Sequence, residues 1–280
     1  MKSIRRLLVV LGFFSTTLSL PVHAGFSWTF DSNPVQGLCQ SAFVGNECTQ
    51  SDTVGLTTIG VTATAWASSA LDDTSANFEQ ATLKRWDGLA VNSVGELTSQ
   101  PEHATDNNGK LEGVLFSYDN TVELTSITMG WHEDADFSLL AYTGVGAPAN
   151  LTNDSYDTLI SSGWSLVSNN LYSSYTNNGT DITASDSASD DYARNLLSGG
   201  VDENHTSFNG ANVSSSYWLV AGLNGAFFSK ANYIGNDYFK IKTLTANISN
   251  VPPQIPVPAT SMLMALVFAA FGFAQRKKTV

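Results

Sequence analysis

The sequence predicts an all-β protein. It would be a single antiparallel sandwich, jelly-roll-like in outline, flanked by an N-terminal signal peptide and a C-terminal transmembrane helix. Three observations predict this. Short segments alternate apolar and polar residues with period two, as in Phe26-Ser27-Trp28-Thr29-Phe30. Ser-, Thr-, Asn- and Gly-rich turns separate them, with no helical stretch between. Lys and Arg are scarce, 13 in 280 residues, whereas an α-rich domain would carry many more of these together with Leu and Glu.

Residues 1–24 form the first element. Lys2, Arg5 and Arg6 make a basic start, residues 7–20 an apolar run, and Val22-His23-Ala24 a small-residue cleavage site. That order describes a secretory signal peptide cut after Ala24. The run is short and carries Ser15, Thr16, Thr17 and Ser19, which argues against a permanent span.

The body, residues 25–250, has no Pro/Gly-rich linker to divide it and is long enough for one large β domain. Phe26, Trp28 and Phe30 face inward on a first strand. Cys39 and Cys48 then bracket a loop; in an exported chain they are expected to form a disulfide worth about 2.5–3 kcal/mol by loop closure. Residues 59–66 alternate again. Residues 81–86 and 89–91 flank Asp87-Gly88, a hairpin signal. Asp106-Asn107-Asn108-Gly109 reads as a turn before a strand at 114–118. Asp119-Asn120 reads as the next turn, leading into a strand at 122–131. Residues 136–142 follow, then a polar region at 150–216 with long loops, and final strands at 217–223 and 238–248.

Between the two terminal signals seven Lys and Arg face 25 Asp and Glu, a net charge of −18. Such a surface stays soluble, repels phosphates and attracts divalent cations. Lacking a basic patch, it excludes a nucleic-acid partner.

The C-terminus has three ordered parts. Residues 251–260 are a Pro-rich linker containing Pro256-Val257-Pro258, which holds the chain extended. Residues 261–275 are an uncharged, apolar transmembrane helix. Residues 276–280 are a cytoplasmic tail, in which Arg276, Lys277 and Lys278 set the orientation and stop transfer. The apolar run within the helix, Ser261 to Ala274, is fourteen residues long and rises only about 21 Å against a hydrocarbon core of roughly 30 Å. Starting the span at Pro258 and letting the basic side chains snorkel closes most of the difference.

Ile255-Pro256-Val257-Pro258-Ala259-Thr260, the apolar segment and Arg276-Lys277-Lys278 together resemble the PEP-CTERM sorting signal, with Val257 where that family usually has Glu. The resemblance implies an exosortase-type processing enzyme of a Gram-negative bacterium as partner. It also implies a transient inner-membrane anchor, cleavage near the Pro motif, and release to the cell surface or extracellular matrix. The segments at 130–144 (Gly130-Trp131-His132-Glu133-Asp134-Ala135-Asp136-Phe137 and onward) and Asn236-Asp237-Tyr238-Phe239-Lys240-Ile241-Lys242 resemble a family of exosortase-dependent surface proteins. That family brings no enzymatic activity.

The body offers little catalytic chemistry. It has no Gly-x-Ser-x-Gly elbow, and no cysteine is spare for a Cys–His pair. His132-Glu133 begins like a zinc His-Glu-x-x-His motif, but Asp136 occupies the second His position. Catalytic residues are therefore expected to be none. Glu133, Asp134 and Asp136 form a dense carboxylate group that either faces solvent at a turn or shares a cation. Calcium, with its 6–8 oxygen ligands, is the cofactor they would suit, if any. Trp66 and Trp131 lie at strand ends or off the apolar register, as carbohydrate platforms do, although Trp in a β domain is commonly core.

Taken together, the sequence predicts a non-enzymatic, exported structural protein associated with exopolysaccharide and biofilm. A calcium-stabilised carbohydrate-binding module is the alternative. A secreted glycan hydrolase is the weakest candidate, since sequence shows no pair of carboxylates across a cleft.

Overall fold

The computed structural model describes residues 25–30, 46–85, 88–96, 104–133, 135–148, 151–170, 192–195, 208–228 and 237–248. In chain order its strands are β1 (Gly25–Thr29), β2 (Glu47–Val54), β3 (Thr57–Leu71), β4 (Phe78–Gln80), β5 (Thr82–Arg85), β6 (Leu89–Asn92), β7 (Thr105–Asp106), β8 (Lys110–Glu133), β9 (Phe137–Tyr142), β10 (Trp164–Asn170), β11 (Tyr192–Asn195), β12 (Ser215–Gly222) and β13 (Tyr238–Asn247). A 3-10 turn at Leu151–Asn153 is the one helical element among the described residues.

β8 joins everything else. Its first part pairs with β3 on one edge and β12 on the other, with Phe116 opposite both Ala63 and Trp218. Its second part pairs with β13 and β11, with Ile127 opposite both Leu244 and Arg194. One strand thus belongs to two layers, and the antiparallel pairing is continuous through it. The first layer runs β10-β9-β12-β8-β3, with β2 and β4 on the far edge of β3. In the second, β13 lies beside β8, and its other edge is shared by β7, β6 and β1. The fold is all-β and sandwich-like.

Asp119-Asn120 is therefore not a chain reversal. Tyr217 of β12 stands opposite Ser117 of β8, and Ser215 stands opposite Val122, so the stretch between bulges out while the strand continues. Asp119 is used there: its Oδ2 accepts the Gly60 N–H at 3.0 Å. Bulges of this kind bend a strand from one sheet into another.

The alternation in the sequence becomes the core between the layers. Phe26, Trp28 and Phe30 are at most 1% exposed. Trp28 Nε1 donates to the Ile59 carbonyl across the layers at 3.1 Å, and Phe30 meets Phe116 with centroids 5.6 Å apart. A second apolar cluster lies on the opposite face of the β8–β9–β12 layer. There Leu151, Tyr156 and Leu159 cover Leu115, Leu140 and Leu219. This layer is consequently apolar on both faces, which explains the nearly unbroken hydrophobic run of β12.

β2 lies where the sequence suggested only a loop. It pairs with β3 through a two-residue connection, Val54 opposite Thr57. Gly55 takes φ 64° at the first loop position, as a type II′ hairpin requires. The β5–β6 hairpin is one residue longer than Asp87-Gly88 implied, since Arg85 stands opposite Leu89. Gly88 has φ 121° and lies against the Ile241 backbone.

The signal peptide, Cys39 and the tail (Pro256, Val257, Pro258, residues 261–275, Arg276, Lys277, Lys278) lie outside the described residues. Among the described residues no helix is long and apolar enough to cross a membrane. Cys48 is buried on β2.

Candidate metal centre

Three carboxylates that are distant in sequence converge at one end of the core. Their positions follow from strand parity. On β8, Leu111 and Leu115 face the covered outer side, while Val114, Phe116 and Tyr118 face the inter-layer core. Glu112 has the same parity as Val114, so the pleat turns a carboxylate inward, to 1% exposure. Asp106 closes β7, opposite Tyr238, and is 2% exposed. Glu96, half-buried, lies just beyond β6. One carboxylate oxygen from each of Glu96, Asp106 and Glu112 lies within 4.8 Å of the others.

Backbone and side-chain donors fix these groups. The Asp106 N–H donates to Glu112 Oε2 at 3.2 Å. Glu96 Oε2 accepts from the Ser93 N–H at 2.7 Å, the Ser93 hydroxyl at 3.1 Å and Asn92 Nδ2 at 3.1 Å. Asp106 Oδ1 accepts from the Asn108 N–H at 3.0 Å. Glu112 Oε1 is buried and receives no hydrogen bond while the neighbouring carboxyls are ionised. Burial raises the Glu112 carboxyl well above its ordinary range; the negative charges of Asp106 and then Glu96, and a hydrogen bond with the Glu96 carboxyl, raise it further, against the smaller opposing effect of the Asp106 N–H. A site of this kind either keeps a proton or takes a cation.

Next to this cluster, Asn107 braces the adjoining loops. Its Nδ2 donates to the Leu223 carbonyl and to Asp237 Oδ2, each at 2.5 Å, and its Oδ1 accepts the Asp237 N–H at 2.8 Å. Asn107 also lines an open groove of about 360 Å³ with Asp72, Thr74, Leu111, Leu223, Asn224 and Gly225. No aromatic residue is among those lining it.

The site residues anticipated from sequence fall elsewhere. Of Glu133, Asp134 and Asp136, Asp134 and the Glu133 side chain lie outside the described residues. Asp136 is 4% exposed instead of facing solvent at a turn, and its carbonyl accepts the Leu223 N–H at 3.2 Å. It does not join the converging carboxylates. Trp66 is off the inter-layer register, as the sequence indicated, but it is not an exposed platform. It is 6% exposed within the second core, and its Nε1 donates to Thr64 Oγ1 at 2.9 Å. The Trp131 side chain lies outside the described residues. His132 is half-buried, with Nδ1 2.8 Å from the Gly130 carbonyl.

The sequence held no clear signal for Glu112, because Val114, Leu115 and Phe116 are apolar on both parities and nothing marks its face as inward. For Glu96 and Asp106 there was none either, because only the pairing of β6, β7 and β13 brings them together. No known protein family matches this chain, and no curated protein matches its sequence.

Proposed function

We propose that the chain is an exported surface or extracellular-matrix protein of a Gram-negative bacterium, structural and not enzymatic, that works within an exopolysaccharide or biofilm layer. On this proposal a signal peptide at 1–24 delivers it across the inner membrane. The helix at 261–275 then anchors it transiently, and an exosortase-type enzyme cleaves near Pro256-Val257-Pro258 to release the body. The observation that carries the proposal is the order of the tail (Pro motif, apolar run, Arg276-Lys277-Lys278) behind an acidic body of net charge −18. The two-layered, strand-only body supports a scaffold role, and its charge favours a hydrated matrix over a nucleic-acid or anionic lipid surface. A Cys39–Cys48 disulfide, suited to that oxidising destination, belongs to the same proposal.

Changing Arg276, Lys277 and Lys278 together to Gln tests the anchor. The precursor is expected to move from the inner-membrane fraction to the soluble periplasmic fraction. Unchanged fractionation would overturn the sorting proposal.

A second reading, a calcium-stabilised carbohydrate-binding module, draws on the open groove bordered by Asp72 and Thr74, whose polar side chains could hydrogen-bond sugar hydroxyls, while the buried Asn107 and Asn224 shape its floor. A polysaccharide that raises the melting temperature in wild type but not in Thr74→Ala would favour it.

A further inference from the structure

We infer that Glu96, Asp106 and Glu112 bind one hard divalent cation, calcium by size, which ties the start of β8 to the chain between β6 and β7. The inference stands independently of how the protein is sorted.

Convergence is the first observation. The three oxygens lie within 4.8 Å of one another. Three oxygens spaced evenly round one calcium at 2.3–2.6 Å stand about 4.0–4.5 Å apart, and two on opposite sides about 4.6–5.2 Å, so the cluster is close to that size and small side-chain shifts would bring all three onto one ion. Magnesium, at 2.0–2.1 Å, brings its ligands to at most about 4.2 Å and demands regular octahedral geometry.

The second observation is an oxygen with no donor. Glu112 Oε1 is buried, in a side chain 1% exposed, and nothing donates to it while the neighbouring carboxyls are ionised; the hydrogen bond between the Glu112 and Glu96 carboxyls requires a shared proton. An ionised oxygen taken out of water without a partner is costly, so it implies a positive species beside it. Among the described residues no positive side chain acts on it. The charges acting on Glu112 are Asp106 and Glu96, both negative. Lys110, two residues before it, is engaged by Glu79 and by the Val94 carbonyl. The Asp106 N–H goes to Glu112 Oε2, while Ser93 and Asn92 go to Glu96 Oε2. A cation among the three carboxylates would neutralise their repulsion and give Oε1 its missing partner, with water completing the shell.

The consequence for the fold is local. Glu96 lies just beyond β6 and Asp106 closes β7, so they mark the two ends of the chain between those strands. A shared ion would pin both ends to β8 and, through the Asp106–Tyr238 pairing, to β13. Calcium sites of extracellular modules have dissociation constants of about 10⁻⁴–10⁻³ M, which suits an exported protein.

The test is thermal unfolding of the purified full chain in detergent, with chelator and then with about 10 mM calcium. At roughly 10–100 times the dissociation constant, the wild-type melting temperature is expected to rise by about 3–10 °C, with calorimetric titration showing one site per chain. Glu112→Gln keeps the shape and still accepts the Asp106 N–H. It is expected to melt in chelator at or above the wild-type temperature and to be indifferent to calcium. Glu96→Gln, at a half-buried position, provides the same comparison should Glu112→Gln fail to fold. A wild-type protein unmoved by calcium would mean that a proton satisfies Glu112, and would overturn the inference. Variants that respond as fully as wild type would overturn it too, by placing the ion elsewhere.

Discussion

Trp28 reports directly on whether the two layers pack as described. It belongs to β1, hydrogen-bonded to β13, yet its indole donates to the Ile59 carbonyl of β3 in the other layer at 3.1 Å. Its ring packs edge-on to Tyr118, with centroids 4.9 Å apart and planes at 63°, and stacks beside Phe26. Trp28 is 1% exposed. Burying a ring of roughly 200 Å² contributes about 5 kcal/mol at 25 cal/mol/Å², an upper value because the unfolded chain already hides some of that area. Measured Trp-to-Ala losses in cores run about 3–5 kcal/mol, so Trp28→Ala is expected to cost about 4 kcal/mol. Trp28→Phe keeps most of the apolar area but gives up the cross-layer hydrogen bond, and should cost about 1–2 kcal/mol. Urea unfolding followed by fluorescence and by circular dichroism measures both, at constant m-value. Losses below about 1 kcal/mol for Trp28→Ala would refute the inter-layer core, because a truncation on an unpacked surface costs little.

Other perturbations separate backbone from side-chain effects and charge from packing. Gly88→Ala places a Cβ 3.0 Å from the Ile241 carbonyl at φ 121°, and a loss of about 2–4 kcal/mol in urea unfolding is expected. Gly95→Ala, at φ 86° with nothing within 4 Å, should cost less, about 1 kcal/mol. In chelator the protein is expected to lose stability as pH rises above 4.5, the ordinary value for Glu, because the Glu112 carboxyl is raised by burial, Asp106 and Glu96. The folded state then holds a proton that the unfolded state has released, so the slope is negative. A melting temperature that climbs steadily from pH 5 to pH 8 in chelator would contradict this.

Much of the fold was legible because alternation is a local signal. Phe26, Trp28 and Phe30, like Ile59, Val61, Ala63 and Ala65, face the core as their spacing indicated. β2 escaped notice because it is an edge strand whose residues are mostly polar and half-buried or exposed, with Cys48 its one buried position. Asp119-Asn120 has turn composition, but β12 pairs with β8 on both sides of it, while β3 pairs as far as Tyr118. Only tertiary pairing could reveal the bulge. Trp66 shows the limit of reading parity alone: off the register of one core, it proved to belong to another, created by the covering segment at 151–164. The carboxylate site was hidden for a related reason. Asp106 read locally as a turn residue, and nothing in the spacing of 96, 106 and 112 marks them as neighbours.

The intact mass of the protein recovered from the outside of the cell tests the proposed life history most directly. A chain beginning at Gly25, ending near Pro258 and lighter by two protons for one disulfide is the predicted result. Freely soluble protein still carrying Val280, or still beginning at Met1, would contradict it.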